Sequence, residues 1–530
     1  MTELFHHLIF KSAERTPDAK ALSYKDNCLS YNALSKEVTA IANGLHRLGL
    51  GRQERVAIYV EKCIEAVSTL FAVSAAGSVT VPVNPLLKPQ QLVYILNDCN
   101  VKILVTSFER LKLLTPILPF CHDLHTVLVV GGNNTLPIIP KINILKWESI
   151  QETDKALKSF SAKEDEMTAI LYTSGSTGKP KGVMLSHLNL VTGAKSVSQY
   201  LKNTPEDRIL SVLPLSFDYG LNQLTTAFHV GATSILMNYL LPNDIIYSIE
   251  QEHITGLAAV PSIWIPLAEL NWGRATTSLR YLTNSGGAIP QTTLKRLRNK
   301  LPNTKIFLMY GFTESFRSTY LSPDDIDLYP ESIGKNIPNA EVLVVREDGS
   351  YCLPEEPGEL VHRGPLVSLG YWNNPAETSK RFRPIASSPD SLAIPIQAAW
   401  SGDTVKMDTK GYLYFIGRRD DMIKTSGYRV SPTEIEEVIY ATEVVGETVA
   451  IGVPHPNLGE AIVVIAIAKI GMKVDVDMLM GACKRELPAF MVPIYVEIRE
   501  DALPRNLNGK IDRKSLKKEK ERLFIGDKSD

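Results

Sequence analysis

The stretch "LYTSGSTGKPKGVMLSH", residues 171–187, decides how the rest of the chain is read. From Thr173 to Gly182 it holds four hydroxyls, three glycines and two lysines. Glycines let a backbone adopt positive φ and approach a ligand with no Cβ in the way. Successive N–H groups then form an anion-binding concavity, with Ser/Thr hydroxyls as added donors and lysine as counter-charge. The flanks, "MTAILY" (167–172) and "GVMLSH" (182–187), read as short strands, so the loop joins two of them. A phosphate cradle is the functional reading. A solvated Gly/Ser turn is the plain one, and the paired lysines and dense hydroxyls weigh against it. It is not a P-loop, because Lys179 is followed by Pro180 rather than Ser or Thr.

Outward from this loop, helical and strand patterns alternate. Leu34, Val38, Ile41, Leu45 and Leu48 recur at helical spacing and end at "LGLG". "RVAIYV" (55–60), "VKILVTS" (101–107) and "TVLVVGG" (126–132) are apolar runs of the kind found in buried parallel strands. Ala66 to Leu87 carries no charge, yet Gly77, Pro82 and Pro85 interrupt it, so a buried helix and a strand, "SVTVPV", explain it better than a membrane span. The expected class is a large α/β N-terminal domain of several subdomains, mostly parallel sheets with helices, over residues 1–419. A small α+β C-terminal domain follows over residues 420–530, beyond the charged stretch "GRRDDMIKTSG". There "SPTEIEEVI" predicts a helix with Ser431 as N-cap, Pro432 at its first position and Glu434 closing a capping box, and "ETVAIGVP" and "AIVVIAIAKI" predict strands.

Bulk properties narrow the class. With 530 residues the chain has room for more than one domain and a large core. Its 57 basic and 58 acidic residues leave a net charge of −1, so no global field argues for nucleic acid. Six cysteines lie far apart without CxxC or histidine pairing, which suits a reducing compartment and gives neither a zinc nor a disulfide framework. The start, "MTELFHHLIFKSAERTP", lacks the pattern of a signal peptide. A cytoplasmic protein without membrane attachment is expected.

Other motifs keep the loop company: "SGGAIP" (285–290), "MYGFTES" (309–315), an aspartate, arginines and a lysine in "SGDTVKMDTKGYLYFIGRRDDMIKTSGYRVSPTEIE" (401–436), and "LPRNLNGKIDR" (503–513). Singly each is weak. In this order, from about residue 5 to residue 515, they resemble the adenylate-forming superfamily of acyl-CoA synthetases, peptide-synthetase adenylation domains and luciferases. The resemblance implies ATP and Mg2+ as cofactors, and joining of a carboxylate to the α-phosphate with release of pyrophosphate. The acyl group then passes to a thiol. Charge builds on phosphate and carboxylate oxygens, so cations and oriented donors should dominate such a site.

By the same resemblance, Thr173, Ser174, Gly175, Ser176, Thr177, Gly178, Lys179 and Lys181 lie over the β- and γ-phosphates, and Gly286 and Gly287 complete the ATP site. Tyr310 stacks on adenine, Thr313 donates to the α-phosphate, and Glu314 holds the metal. Asp403 accepts from the ribose with Arg418 in support, and Lys510 bridges the substrate carboxylate and the α-phosphate. Asp420 is the hinge, with Gly427 and Arg429 at the thiol channel. His187 is left as a structural hydrogen-bonder.

The substrate is read from "LPLSFDYGLNQL" (213–224). Many acyl-CoA synthetases carry a histidine here, whereas Phe217-Asp218 resembles the "FD" of amino-acid adenylation domains, whose aspartate pairs with the substrate ammonium. Ser285 joins Phe217 and Asp218 as a substrate-binding residue. A carboxylate facing a plain acyl chain would be costly, and opposite an ammonium it is compensated. Capping of a nearby turn by Asp218 stays open. The favoured reading is a free-standing enzyme that loads an amino acid, with L-proline as the nearest likeness, onto a separate phosphopantetheinylated carrier protein. The alternative is an acyl- or aryl-CoA ligase using free CoA.

Overall fold

The computed structural model describes residues 3–132, 135–151, 157, 162–173, 180–385, 397–418, 421–425, 428–456, 458–506 and 509–524. The runs flanking the Gly/Ser/Lys loop form the strands Met167–Thr173 and Lys181–Ser186, antiparallel, with Thr173 opposite Lys181. They edge onto an eight-stranded sheet in which Val79–Pro82, Arg55–Tyr59, Val101–Ser107 and Thr126–Val130 lie parallel. The predicted amphipathic helix spans Tyr31–Arg47, capped by Ser30 accepting from the Ala33 N–H, and the chain leaves it through Gly49 at φ +85°. The uncharged stretch resolves into the buried helix Ile64–Ala75 and the strand Val79–Pro82. Among the described residues, no helix is long and apolar enough to cross a membrane.

A second sheet, of fourteen strands, carries most of the motifs. Its centre is a parallel run: Lys305–Tyr310 beside Tyr281–Asn284, then Gly256–Ala259, Arg208–Ser211 and Thr233–Leu236. From Thr319 onward the pairing turns antiparallel. Length explains the change. A parallel return needs a crossover of about a dozen residues or more, and residues 311–318 are too few, so the chain doubles back. Strands Gln397–Met407 and Leu413–Arg418 extend this half, with Asp403 in register with Arg418.

The third sheet contains only residues from Ile423 on: Tyr428–Val430, Ile423–Thr425, Gly459–Ala468, Val445–His455 and Tyr495–Arg499. Helices Pro432–Ala441 and Val476–Glu486 share its core through Ile435, Ile439, Leu479 and Cys483. This is the α+β texture expected of the tail. The Ser431 capping box does not form. Ser431 holds the N-cap position but its hydroxyl pairs with Thr433 Oγ1 at 2.7 Å, and Glu434 is exposed. A hydroxyl two residues away outcompetes the helix N–H. Towards the large sheet, Arg296 meets Glu443 at 3.0 Å and Glu269, and Lys469 meets Glu269 at 2.8 Å. All six cysteines are free.

One close approach fixes the turn after Glu314. Phe316 has φ +58°, a costly conformation for a bulky residue, and its ring is fully buried. It fits because position 193, in helix His187–Leu201, is glycine: a Cβ there would lie 2.5 Å from two ring carbons. Alanine is favoured over glycine in a helix by roughly 0.5–1 kcal/mol, but overpacking a core costs about 1–3 kcal/mol. Gly193→Ala is therefore expected to lower the thermal unfolding midpoint; a raised midpoint in differential scanning calorimetry would refute the packing argument.

Candidate active site

Four neighbouring strands run parallel, and the chemistry-bearing residues follow their carboxyl ends, where ligand crevices of open α/β sheets lie. After Arg208–Ser211 the chain passes through Leu213-Pro214 to Phe217 and Asp218; after Gly256–Ala259 comes Val260; after Tyr281–Asn284 come Ser285, Gly286 and Gly287; and Tyr310 leads to Thr313 and Glu314. Asn284 Nδ2 donates to the Gly287 carbonyl at 3.0 Å and holds the glycine turn, where Gly286 has φ +82°. A Cβ on Gly286 would meet Val260 Cγ1 at 3.2 Å, Lys510 Cε at 3.7 Å and Phe217 Cζ at 3.8 Å. Phe217, Val260 and Lys510 thus converge on the glycine turn. Ser285 is buried beside it.

Lys510 arrives from the third sheet's unit. Its loop is closed by Asn506 N–H donating to the Lys510 carbonyl at 2.8 Å, with Gly509 at φ +76°. The residue is exposed overall, and its Cε reaches towards the glycine turn. Burial in the cleft, and then Arg418, push its ammonium below the usual lysine range, with Asp218, Asp403 and Glu314 pulling the other way.

On the nucleotide side of the predicted site, Asp403 is buried, accepts from the Tyr310 hydroxyl and lies 3.2 Å from Arg418 Nε. Burial raises its carboxyl despite Arg418 and Tyr310. Thr313 and Glu314 form a buried 3₁₀ turn. Glu314 accepts from Tyr371 and faces Arg381 at 3.7 Å. Burial alone would raise its carboxyl, but Arg381 and the Tyr371 hydroxyl bring it below the ordinary value. Thr173 ends its strand half-buried, and Lys181 pairs with Glu377 and lies 5.3 Å from the Tyr371 ring centroid. Ser174, Gly175, Ser176, Thr177, Gly178, Lys179, Asp420 and Gly427 lie outside the described residues, and of Arg429 only its place in strand Tyr428–Val430 is described. His187 Nδ1 accepts from the Phe5 N–H at 3.0 Å, and burial pushes the ring down to about 4.

Asp218 holds a surprise. It opens the helix Asp218–Val230, is 4% exposed, and its Oδ2 accepts from Arg317 Nη1 at 2.9 Å. Arg317 is itself 1% exposed and stacks over Tyr219, 4.7 Å from its ring centroid. The buried aspartate therefore has a protein counter-ion, which sequence reasoning missed. The signal was an arginine three residues beyond Glu314 in "TESFRS". Burial nonetheless raises the Asp218 carboxyl, with Arg317 and then Lys510 only partly opposing it.

This is the layout of an enzyme that brings an acid and a nucleotide to one cleft. The chain belongs to the AMP-binding enzyme family, which matches residues 9–372, and the AMP-binding enzyme C-terminal domain matches residues 434–510. It is 29% identical over 530 residues to tyrocidine synthase 3 of Brevibacillus parabrevis, covering 98% of this chain but only 8% of that protein. It is 28% identical to the L-proline–[L-prolyl-carrier protein] ligase of Pseudomonas fluorescens (98% of this chain, 100% of that one). Identity to the long-chain-fatty-acid–CoA ligase of Bacillus subtilis is 27% (97% and 94%). Among solved structures, ATP-bound MatB from Rhodopseudomonas palustris superposes with a TM-score of 0.86 at 25% identity, covering 99% and 100%. The o-succinylbenzoate coenzyme A synthetase MenE of Bacillus subtilis, in complex with ATP and magnesium ion, gives 0.81 at 26%, covering 96% and 99%. The chain is an adenylate-forming acid–thiol ligase with ATP and Mg2+ as its cofactors.

The residues fit a metal held this way. Among the described residues no cluster of His, Cys, Asp and Glu forms a metal cage, and Mg2+ is characteristically held by one or two carboxylates plus phosphate oxygens. Glu314, ionised and oriented by Tyr371, offers one such carboxylate. Losing an orienting partner of a metal ligand costs about 10–100-fold in affinity. Tyr371→Phe is thus expected to raise the Mg2+ concentration for half-maximal pyrophosphate exchange at least about 10-fold; an unchanged titration would detach Tyr371 from the metal.

Proposed function

We propose that this chain activates an amino acid as its adenylate and passes it to the phosphopantetheine thiol of a separate carrier protein in the cytoplasm. The observation that carries this reading is Asp218: a buried carboxylate beside the converging Phe217, Gly286 and Lys510, still raised despite Arg317. A carboxylate so placed gains from a second cation, and a substrate ammonium supplies one. Full-length similarity to a prolyl-carrier-protein ligase supports the same reading and puts L-proline first on the list of acids by similarity alone.

In this reading residues 1–419 bind the acid and ATP, and residues 420–530 turn about Asp420 to carry Lys510 in and out. Lys510 holds the acid's carboxylate against the α-phosphate, and Thr313 donates to that phosphate. Thr173 to Lys181 cover the outer phosphates, with Gly286 and Gly287 alongside. Tyr310, Asp403 and Arg418 take the nucleoside, and Glu314 holds Mg2+, which offsets phosphate charge. Withdrawal of Lys510 and approach of Gly427 and Arg429 then suit thiol transfer, so one site serves two half-reactions through a domain motion. A second reading, a CoA ligase for an amine-free acid, draws on Arg317 already neutralising Asp218 and on the equally similar fatty-acid ligases.

ATP–pyrophosphate exchange separates the two. Exchange with proline or other amino acids, and none with deaminated analogues such as cyclopentanecarboxylate, is expected; exchange with the amine-free acids at equal rate gives the CoA-ligase reading. Asp218→Asn should raise the amino-acid KM by about 2–4 kcal/mol, the loss when one member of a buried charge pair is removed. Lys510→Ala should nearly abolish exchange while thioester formation from synthetic acyl-AMP survives, and equal loss of both contradicts the two-position role.

The pH dependence follows from the same lysine. Bridging two anions requires the ammonium form, and crowding plus Arg418 make it lose its proton at lower pH than a free lysine. Exchange should therefore fall on the alkaline side before an ordinary lysine would titrate, while thioester formation keeps its rate. A shared alkaline limb in both half-reactions would assign it to another group.

A further inference from the structure

Lys181, at the end of the Gly/Ser/Lys loop, is already held by a carboxylate. Its Nζ lies 2.5 Å from Glu377 Oε2, with 12% of the lysine side chain and 25% of the glutamate side chain exposed. Lys380 meets the other oxygen, Oε1, at 2.9 Å and is itself mostly in water. The two lysines, Lys181 foremost, hold the Glu377 carboxyl down at about 2, so it is an anion at any working pH. The contact is set by backbone. Strand Gly370–Tyr371 runs antiparallel to the lysine's own strand, with Tyr371 opposite Val183, and the Trp372 N–H donates to the Gly182 carbonyl at 2.7 Å. Asn374 then caps the helix Pro375–Arg381 by accepting from the Glu377 N–H at 3.2 Å, and Thr378 Oγ1 accepts from the Tyr371 N–H at 3.0 Å. The run of chain that pairs with the strand of Lys181 thus also carries Glu377 to it.

Tyr371 links this pair to the metal carboxylate. Lys181 Nζ lies 5.3 Å from the centroid of its ring, and its hydroxyl donates to Glu314. One helical turn beyond Glu377, Arg381 faces Glu314 at 3.7 Å. Lys181 and Glu314 therefore share one side of the cleft, the side read as taking the outer phosphates and their metal. A carboxylate bonded to Lys181 there repels every phosphate oxygen that the lysine would bind. A charge-assisted bond from the ammonium to phosphate is made in competition with the one to Glu377. We propose that Glu377 is a positioning residue that competes with polyphosphate for Lys181, giving the ammonium up as ATP enters and taking it back as pyrophosphate leaves. Product release is favoured, with some loss of ATP affinity. The proposal rests on the reading of Lys181 as a phosphate ligand and adds to it a carboxylate that sets how tightly that ligand holds.

The test is isothermal titration calorimetry on the full chain with Mg2+ present. Three probes are used: AMP, pyrophosphate, and α,β-methylene-ATP, which is not cleaved. Glu377→Gln should tighten pyrophosphate and α,β-methylene-ATP at least about 5-fold, the equivalent of one partly exposed ion pair that no longer has to be broken. AMP, which lacks the outer phosphates, should bind as before. Combined with Lys181→Met, the same substitution should have no effect left, because the two residues act through one contact. Selective weakening of pyrophosphate and the ATP analogue in Glu377→Gln would overturn the proposal, making the carboxylate an aid to Lys181 rather than its competitor. No change, or an equal change for AMP, would overturn it too and leave a structural contact. Lys181→Met alone tells the two levels of failure apart. Pyrophosphate affinity unmoved by it overturns the phosphate reading of Lys181, and this proposal with it. Pyrophosphate weakened by it, beside an unresponsive Glu377→Gln, overturns this proposal and keeps that reading. Should Glu377→Gln not fold, Glu377→Ala removes the same charge, and the Asn374 cap, made to the backbone, stays available.

Discussion

A carboxylate and a guanidinium that have both left water organise this cleft. Asp218 and Arg317 are separated by almost a hundred positions in the chain, and each is tolerable in the interior only because of the other. Their contact ties the first turn of the Asp218 helix to the turn that follows Thr313 and Glu314. It therefore sets the spacing between the Asp218 side of the cleft and the Thr313-Glu314 side. Phe316, strained in φ and slotted against Gly193, makes that turn rigid, and the Leu213-Pro214 loop packs on the start of the Asp218 helix, where a Cβ at Gly220 would lie 2.0 Å from the Pro214 carbonyl oxygen. Both sides of the cleft are thus held by contacts that tolerate no extra atom.

Around this pair, charges alternate rather than accumulate. Lys510 feels Arg418 as a repulsion and Asp218, Asp403 and Glu314 as attractions, and Asp403 and Glu314 are each met by arginine and by a tyrosine hydroxyl. The result is a set of titratable groups held by their partners before any ligand arrives, with little reorganisation left to do. The one cation in this set that belongs to another sheet is Lys510, so the part of the electrostatic field most easily removed is the part nearest the glycine turn.

Much of this was legible in the sequence, for reasons that are local. The strands around the Gly/Ser/Lys loop, the buried parallel runs, the helix ending at Gly49 and the split of Ala66–Leu87 all follow from period and turn signals within a few residues. Motif order pointed to Tyr310, Asp403, Arg418, Phe217, Gly286 and Lys510 as site residues; their contacts with one another, Tyr310 with Asp403, Asp403 with Arg418, and Phe217 and Lys510 at Gly286, are seen only in the structure. What was illegible is non-local or competitive. Nothing near Asp218 announces that its partner is Arg317, since only the pairing of distant strands brings them together. Ser431 read as a capping residue because Thr433, the competitor for its hydroxyl, counts as neutral in that pattern. The antiparallel half of the large sheet depended on the shortness of residues 311–318, a constraint that hydrophobic pattern alone does not express.

The contacts among Arg296, Glu443, Glu269 and Lys469 lead to a different kind of conclusion. Glu443 is more than half exposed, and the other three keep a quarter or more of their surface in water. Pairs of this sort are worth about 0–1 kcal/mol each and are screened over roughly 10 Å at ordinary salt. Among the described residues, no buried ion pair comparable to Asp218–Arg317 spans this boundary. The two bodies of the molecule are therefore joined there by a grip of a strength that ambient ions can compete with, so the medium, as well as the ligand, has a say in how long they stay together.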